Sequence, residues 1–247
     1  MDVLKLSPEG RELSGLTAGL LPAAGSRVLL GITGSPGAGK STLAAFLAEA
    51  CGAVVVPMDG FHLADVELVR RGLLDRKGAP ETFDGWGYAA LLARVRGPGS
   101  GSGSGGGSGP GGGSGAGSGS GGGSGSDSGS GSAEVVMAPM FERDLEQPIA
   151  GAIPVPLSAG LVVTEGNYLL LEADPWPLVR ARLDAVWHVV TDDGLRLPRL
   201  LARHVASGKT PAGAAAWVDR VDRPNGVLIE AASRHADLVL VLTDWKR

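Results

Sequence analysis

Cysteine is almost absent: Cys51 stands alone among 247 residues. No intrachain disulfide and no cysteine-based zinc site can form. Histidine is scarce too, and His188, His204 and His235 fall in no metal-ligand spacing. A strong excess of either charge is missing. The net charge of −4 gives no pull towards nucleic acid or an anionic membrane. No apolar run is long enough to span a bilayer. The first ten residues, MDVLKLSPEG, lack the basic and apolar regions of a signal peptide. A cytoplasmic protein with neither nucleic-acid nor membrane partners is expected.

Variety is missing from one long stretch. Residues 97–132 are glycine and serine, broken only by Pro98, Pro110, Ala116 and Asp127. Such a stretch has no apolar surface to bury, and a flexible coil is expected. It holds 20 of the 41 glycines and leaves 211 residues for the fold. That length suits one α/β domain. Only two apolar strand runs precede the tract, so it reads as an insertion within a single domain, 1–247. A coil of this length spans roughly 30–36 Å root-mean-square. Substituting it for a six-residue loop costs only about 1.6 kcal/mol of closure entropy.

The richest feature is Gly34-Ser35-Pro36-Gly37-Ala38-Gly39-Lys40-Ser41, a full match to G-x-x-x-x-G-K-[ST]. Its surroundings match as well. Arg27–Thr33 (RVLLGIT) is a short apolar run of the kind that forms a buried parallel strand. From Ser41 and Thr42 onward, Leu43, Phe46, Leu47 and Ala50 recur at helical spacing, and Gly52 is placed to cap the end. In this context the glycines let backbone N–H groups surround a polyphosphate at the positive end of a helix dipole. Lys40 is expected to reach the β- and γ-phosphates of a nucleoside triphosphate, with ATP and GTP both open, and Ser41 to ligate Mg²⁺.

Four more apolar runs read as strands: Ala53–Pro57, Leu161–Thr164, Ala185–Val190 and Asp237–Leu242. Ser7-Pro8-Glu9 reads as the start of a helix running to about Leu21. Tyr88–Val95 is an amphipathic helix, 154–160 is irregular, and another helix starts near Asp192 and Asp193, which cap it. Strands alternating with helices predict a five-stranded, mostly parallel sheet with helices on both faces. Ligands bind such sheets at the carboxyl ends of the strands. Lys40, Ser41, Asp59, Glu165, Asp192 and Asp193 all follow strand ends.

A phosphate loop alone does not choose between kinase, GTPase and motor. The guanine-reading N-K-x-D segment is missing. Met58-Asp59-Gly60-Phe61-His62-Leu63 resembles the Asp-Gly-Phe or Asp-Ser-Phe-Tyr segment of the uridine kinase, phosphoribulokinase and bacterial pantothenate kinase superfamily. Arg76–Asp84 (RKGAPETFD) is similar to the pantothenate kinase Lys-Gly-x-Pro-Glu-Ser-Tyr-Asp segment. Ala138–Arg143 (APMFER) resembles the Pro-x-Tyr acceptor segment, and Glu165-Gly166-Asn167 the Glu-Gly segment. Arg196, Arg199 and Arg203 match the spacing of the lid helix, and Gly208-Lys209-Thr210 its following turn.

The resemblance implies a P-loop NTPase three-layer sandwich with a helical lid, and a kinase that moves the γ-phosphoryl group of ATP to a hydroxyl of a small metabolite. It implies Asp59 as the base, Glu165 with Ser41 and Asp59 at Mg²⁺, and Arg199 and Arg203 over the transferred group. It implies Phe61, His62, Arg76, Phe83, Asp84 and Arg143 around the acceptor. Bland roles compete: an Asp-Gly turn for Asp59, a cap for Glu165, a solvated helix face for the arginines, core packing for Phe61 and Phe83. Arg143 stands where pantothenate kinases carry a histidine, which suits a more anionic acceptor. The tryptophans are expected in packing roles, Trp86 being the best exception. An ATP-dependent switch or chaperone-like NTPase acting on a protein partner stays open as the alternative. Oligomeric state stays open as well, a homodimer among the options.

Shortening residues 97–132 to six is expected to leave kinase activity intact and the melting temperature unlowered. Thermal unfolding and an ADP-release assay on the shortened protein check this, and a large loss of both contradicts the insertion reading.

Overall fold

The computed structural model describes residues 2–6, 15–17, 19, 26–97 and 135–242. The expected N-terminal helix is described only at 15–17 and 19, which are helical. Nearly all of the glycine/serine tract lies outside the described residues, as does Trp245.

In chain order the strands are β1 Asp2–Leu6, β2 Val28–Thr33, β3 Val54–Pro57, β4 Val135–Glu142, β5 Gln147–Pro156, β6 Leu161–Glu165, β7 Ala185–Val190 and β8 Leu238–Leu242. The helices are α1 Lys40–Cys51, α2 Asp65–Arg71, α3 Gly85–Arg96, α4 Trp176–Arg180, α5 Asp193–Ala206, α6 Pro211–Trp217 and α7 Arg223–Ala232. A turn of π-helix, Val218–Asp222, joins α6 to α7.

Six strands form one sheet in the order β1-β8-β7-β2-β6-β3, every neighbour parallel. All five expected strands are present. The sixth, β1, was not foreseen. It pairs only with β8, its side chains are mostly exposed, and its short apolar run is broken by Lys5. A second correction concerns β4 and β5, an antiparallel pair on the far side of the tract. The segment 154–156, expected to be irregular, ends β5. Three prolines, Pro148, Pro154 and Pro156, hide that strand from propensity, since proline forgoes a ladder hydrogen bond and is confined to edges. Pro139 marks a shift in register in β4 for the same reason.

Alternation divides the sheet into two cores. Leu29, Val162 and Val186 face α3 and α4, where Tyr88, Leu92, Tyr168 and Trp176 complete the packing. Leu30, Ile32, Val163, Trp187 and Val189 face α1 through Leu43, Ala44 and Leu47. Helices therefore cover both faces, as expected. The guanidinium of Arg27 ties the end of β5 to the start of β2, with 2.7 Å to Pro156 O and 2.9 Å to Ala159 O.

Register then aligns the strand ends. Ile32 and Pro57 both pair with Glu165, and Thr33 with His188. The phosphate loop, the Met58–Phe61 turn and Glu165 thus emerge at one level. The β4–β5 hairpin closes over that turn. A Cβ on Gly60 would lie 2.5 Å from Pro139 O, so only glycine allows the approach. Gly60→Ala is expected to push the hairpin away and cost about 1–3 kcal/mol, read as a melting temperature lower by about 2–4 °C per kcal/mol. An unchanged melting temperature contradicts the close approach.

Candidate active site

The phosphate loop leaves β2 at Gly34 and enters α1 at Lys40. Gly37 and Gly39 have φ of 82° and 99°, a region where side chains are strained and in which the loop folds back on itself. Helix α1 has no side-chain cap and no acidic residue in its first turn. Its first N–H groups and dipole are left for an anion. Ala38 N donates to Ser35 O at 3.0 Å, which sets the turn.

The Lys40 ammonium is buried and donates to Gly34 O at 2.8 Å and Ser35 O at 3.2 Å. Burial pushes its pKa down to about 8, against the attraction of Glu165 and Asp59. Arg203 and Arg196 add to the lowering. Glu165, at the end of β6, accepts from Ser41 Oγ at 2.9 Å. Burial and the charge of Asp59 hold its carboxyl above the ordinary range, opposed by Lys40, Ser41 and Arg143. Two carboxylates thus compete beside one buried lysine, a poise that a cation of higher charge relieves.

These groups open into a cavity of about 380 Å³. Pro36, Lys40, Ser41, Asp59 and Glu165 form its floor; His62, Asp65, Lys77 and Phe83 one wall; Phe141, Arg143 and Glu146 of the hairpin another. Arg203, His204, Ser207, Lys209, Trp217 and Asp222 form the lid side. The His62 ring makes tilted contacts with Phe83, 4.0 Å between centroids, and with Phe141, 4.9 Å. Burial holds the imidazole below its ordinary pKa, and Nδ1 lies 2.9 Å from Asp59 O. Helix α5 is capped by Asp192, which accepts from Gly194 N, and Arg196 docks it onto the loop at 3.0 Å from Pro36 O.

Not every expected residue reaches the cavity. Phe61 packs against Tyr88 at 4.8 Å in the core. Arg76 pairs with Glu81 at 2.5 Å on the surface. Asp84 caps α3, accepting from Gly87 N at 2.8 Å. Arg199 is exposed on α5 and does not line the cavity, whereas Arg203, one turn on, does. Trp86 is 60% exposed and off the cavity; Trp217 lines it instead, with Lys209 Nζ 4.7 Å from its ring. The sequence reading passed over Lys77, whose ammonium holds Asp65 at 2.7 Å and Glu146 O at 2.5 Å. A short 3₁₀ turn, Leu74–Arg76, ends just before Lys77, and of the two adjacent cations it is Lys77 that lines the cavity. Among the described residues no three His, Cys, Asp or Glu side chains cluster as a metal cage, and no helix is long and apolar enough to cross a membrane.

A solved Silicibacter protein, provisionally described as a fructose transport system kinase, is 33% identical, superimposes with a TM-score of 0.72, and shares 93% of this chain and 99% of its own. The chain belongs to the P-loop kinase superfamily of uridine kinase, phosphoribulokinase and bacterial pantothenate kinase. It is a phosphotransferase whose acceptor is an alcohol group. A Schizosaccharomyces pombe protein, provisionally described as a uridine kinase, is 27% identical over 227 residues, covering 87% of this chain and 83% of its own. The pantothenate kinase of Leifsonia xyli is 41% identical over 80 residues, 30% of this chain and 24% of that enzyme. No protein-family model matches the chain.

The buried lysine has a stability signature. Its folded pKa of about 8 lies below its ordinary 10.5, so the unfolded chain binds the proton more tightly. The cost of charging Lys40 is full below pH 8 and fades as pH rises from 8 to 10.5. The stability of the nucleotide-free protein, relative to Lys40→Met, is expected to rise through that window by on the order of 1–3 kcal/mol. Urea titrations of both proteins at several pH values check this, and a constant difference contradicts it.

Proposed function

We propose that this kinase uses Mg²⁺-ATP to phosphorylate a hydroxyl of a small, polar and anionic metabolite. The observation that carries the reading is convergence: Lys40, Ser41, Asp59 and Glu165, from three adjacent strand ends, meet at the floor of one cavity.

The site fits both groups. The inward-turning loop and the uncapped start of α1 suit a polyphosphate. Ser41, Glu165 and Asp59 supply only oxygen donors, which suit Mg²⁺. Without a three-residue cage, the ion would keep water and phosphate oxygens in its shell. When bound, Mg²⁺ supplies neutralising charge to the phosphate oxygens.

The chain's own residues do the rest. Loop N–H groups and Lys40 hold the β- and γ-phosphates, Lys40 exchanging its bonds with Gly34 O and Ser35 O for phosphate oxygens. The Asp59 carboxylate accepts the proton of the acceptor hydroxyl and orients that oxygen towards the γ-phosphorus. Arg203, on the lid side, offsets charge on the group in transit. His62, Phe83 and Phe141 exclude water around the acceptor. Arg143 supplies positive charge on the hairpin wall, which favours an acceptor carrying a carboxylate or phosphate, whereas Lys77 is already paired with Asp65. Relatives whose names refer to uridine, pantothenate and fructose transport support a small metabolite without choosing among them.

Asp59→Asn is expected to lower acceptor-dependent ADP release by about 10²- to 10⁴-fold. The assay uses Mg²⁺-ATP with a panel of sugars, sugar phosphates, hydroxy acids, nucleosides and pantothenate. Stimulation confined to anionic acceptors and lost in Asp59→Asn is the predicted result. A basal rate that no acceptor stimulates and Asp59→Asn leaves unchanged contradicts it and favours the switch NTPase.

A further inference from the structure

One polar cluster, with His188 and Ser35 buried and Glu230 half-exposed, touches the phosphate loop and has no part in the chemistry above. Glu230, on α7, accepts from Ser35 Oγ at 2.6 Å through Oε1, and its Oε2 lies 3.0 Å from His188 Nε2. His188 is fully buried on β7. A carboxylate only accepts, so Nε2 carries the hydrogen. His188 Nδ1 is buried without a hydrogen-bond partner among the described residues, so a second proton there would be stranded. The neutral tautomer with hydrogen on Nε2 is the one that fits. Both Glu230 oxygens are then engaged, one by a strand of the sheet and one by the loop. Burial alone would push the Glu230 carboxyl up; the bonds from His188 and Ser35 outweigh it and hold it below the ordinary range.

Ser35 is the residue through which this matters. It is 4% exposed. Its carbonyl accepts from Ala38 N at 3.0 Å, closing the turn of the loop, and from Lys40 Nζ at 3.2 Å. Helix α7 lies directly against it: a Cβ on Gly226 would sit 3.5 Å from Ser35 Oγ. The serine side chain is therefore pinned from outside while its backbone shapes the anion site.

We propose that Glu230 is a positioning residue of the nucleotide site, fixing through Ser35 the carbonyl that turns the phosphate loop and seats Lys40. The segment that carries Glu230 also meets the rest of the cavity. Asn225 Nδ2 donates to Gly78 O at 3.2 Å on the acceptor side, and Asp222 Oδ2 lies 2.8 Å from His204 Nε2 on lid helix α5. The loop is thus held in register with the acceptor wall and the lid by one helix and the π-turn before it.

The proposal rests on the nucleotide-binding reading of the loop, and titration with ADP and Mg²⁺ tests the two separately. Wild type, Ser35→Ala, Glu230→Ala and the double variant form a cycle. Each single substitution is expected to weaken Mg²⁺-ADP about tenfold, and the double variant to be no weaker than about tenfold, because both remove the same bond. Glu230→Gln is expected to stay within about threefold, since its carbonyl accepts from His188 and its amide donates to Ser35. Should Glu230→Ala fail to fold, Glu230→Asp takes its place, keeping the charge but losing the reach. Single variants with wild-type affinity, or a double variant near a hundredfold, overturn the positioning role. A wild-type protein that binds no Mg²⁺-ADP overturns the nucleotide reading beneath it.

Discussion

A lysine ammonium taken out of water, received among the described residues by two carbonyl oxygens, is the constraint on which the site depends. Lys40 donates to Gly34 O and Ser35 O, and burial has already drawn its pKa down to about 8. Such a charge is costly unless a strong acceptor arrives. Its surroundings favour an anion. The loop backbone turns inward, α1 begins without a cap, and Arg196 and Arg203 add positive potential. Glu165 and Asp59 pull the other way and limit the fall. In the proposed function, a polyphosphate with its cation would restore the balance.

The fold exists, in functional terms, to bring those opposed charges to one level. Parallel register sets Ile32, Pro57 and Glu165 side by side, so three strand ends deliver the loop, Asp59 and Glu165 without any long-range loop having to find them. The remaining walls are added from outside the sheet. The hairpin rests on Gly60 through Pro139, Arg196 docks α5 on Pro36, and α7 braces Ser35. Each brace meets backbone or a buried polar atom rather than an exposed side chain, which suits a site whose geometry must persist between turnovers.

Much of this was legible in sequence because it is local. The phosphate loop, its strand and its helix are contiguous, and the five central strands are apolar runs that a buried parallel sheet demands. Lys40, Ser41, Asp59 and Glu165 could be expected at one cavity because they follow those runs directly, and all four line it. What escaped was set by distant partners. β1 is readable only beside β8. The hairpin is disguised by prolines that an edge tolerates. Phe61, Arg76 and Asp84 sit in the right segments but turn to Tyr88, Glu81 and the start of α3, while the neighbouring Lys77 faces the cavity. Glu230 lies 195 residues from Ser35 in the chain, and no local pattern ties the two together.

Proton uptake on nucleotide binding tests the central claim most directly. Calorimetry of ADP binding without Mg²⁺, in buffers of differing ionisation enthalpy at pH 8, counts the protons taken up. With the Lys40 pKa at about 8 in the nucleotide-free protein and the ammonium paired once phosphate is bound, the account predicts uptake of roughly half a proton. Binding with no proton uptake would mean that Lys40 was already fully charged and satisfied, and would contradict the claim.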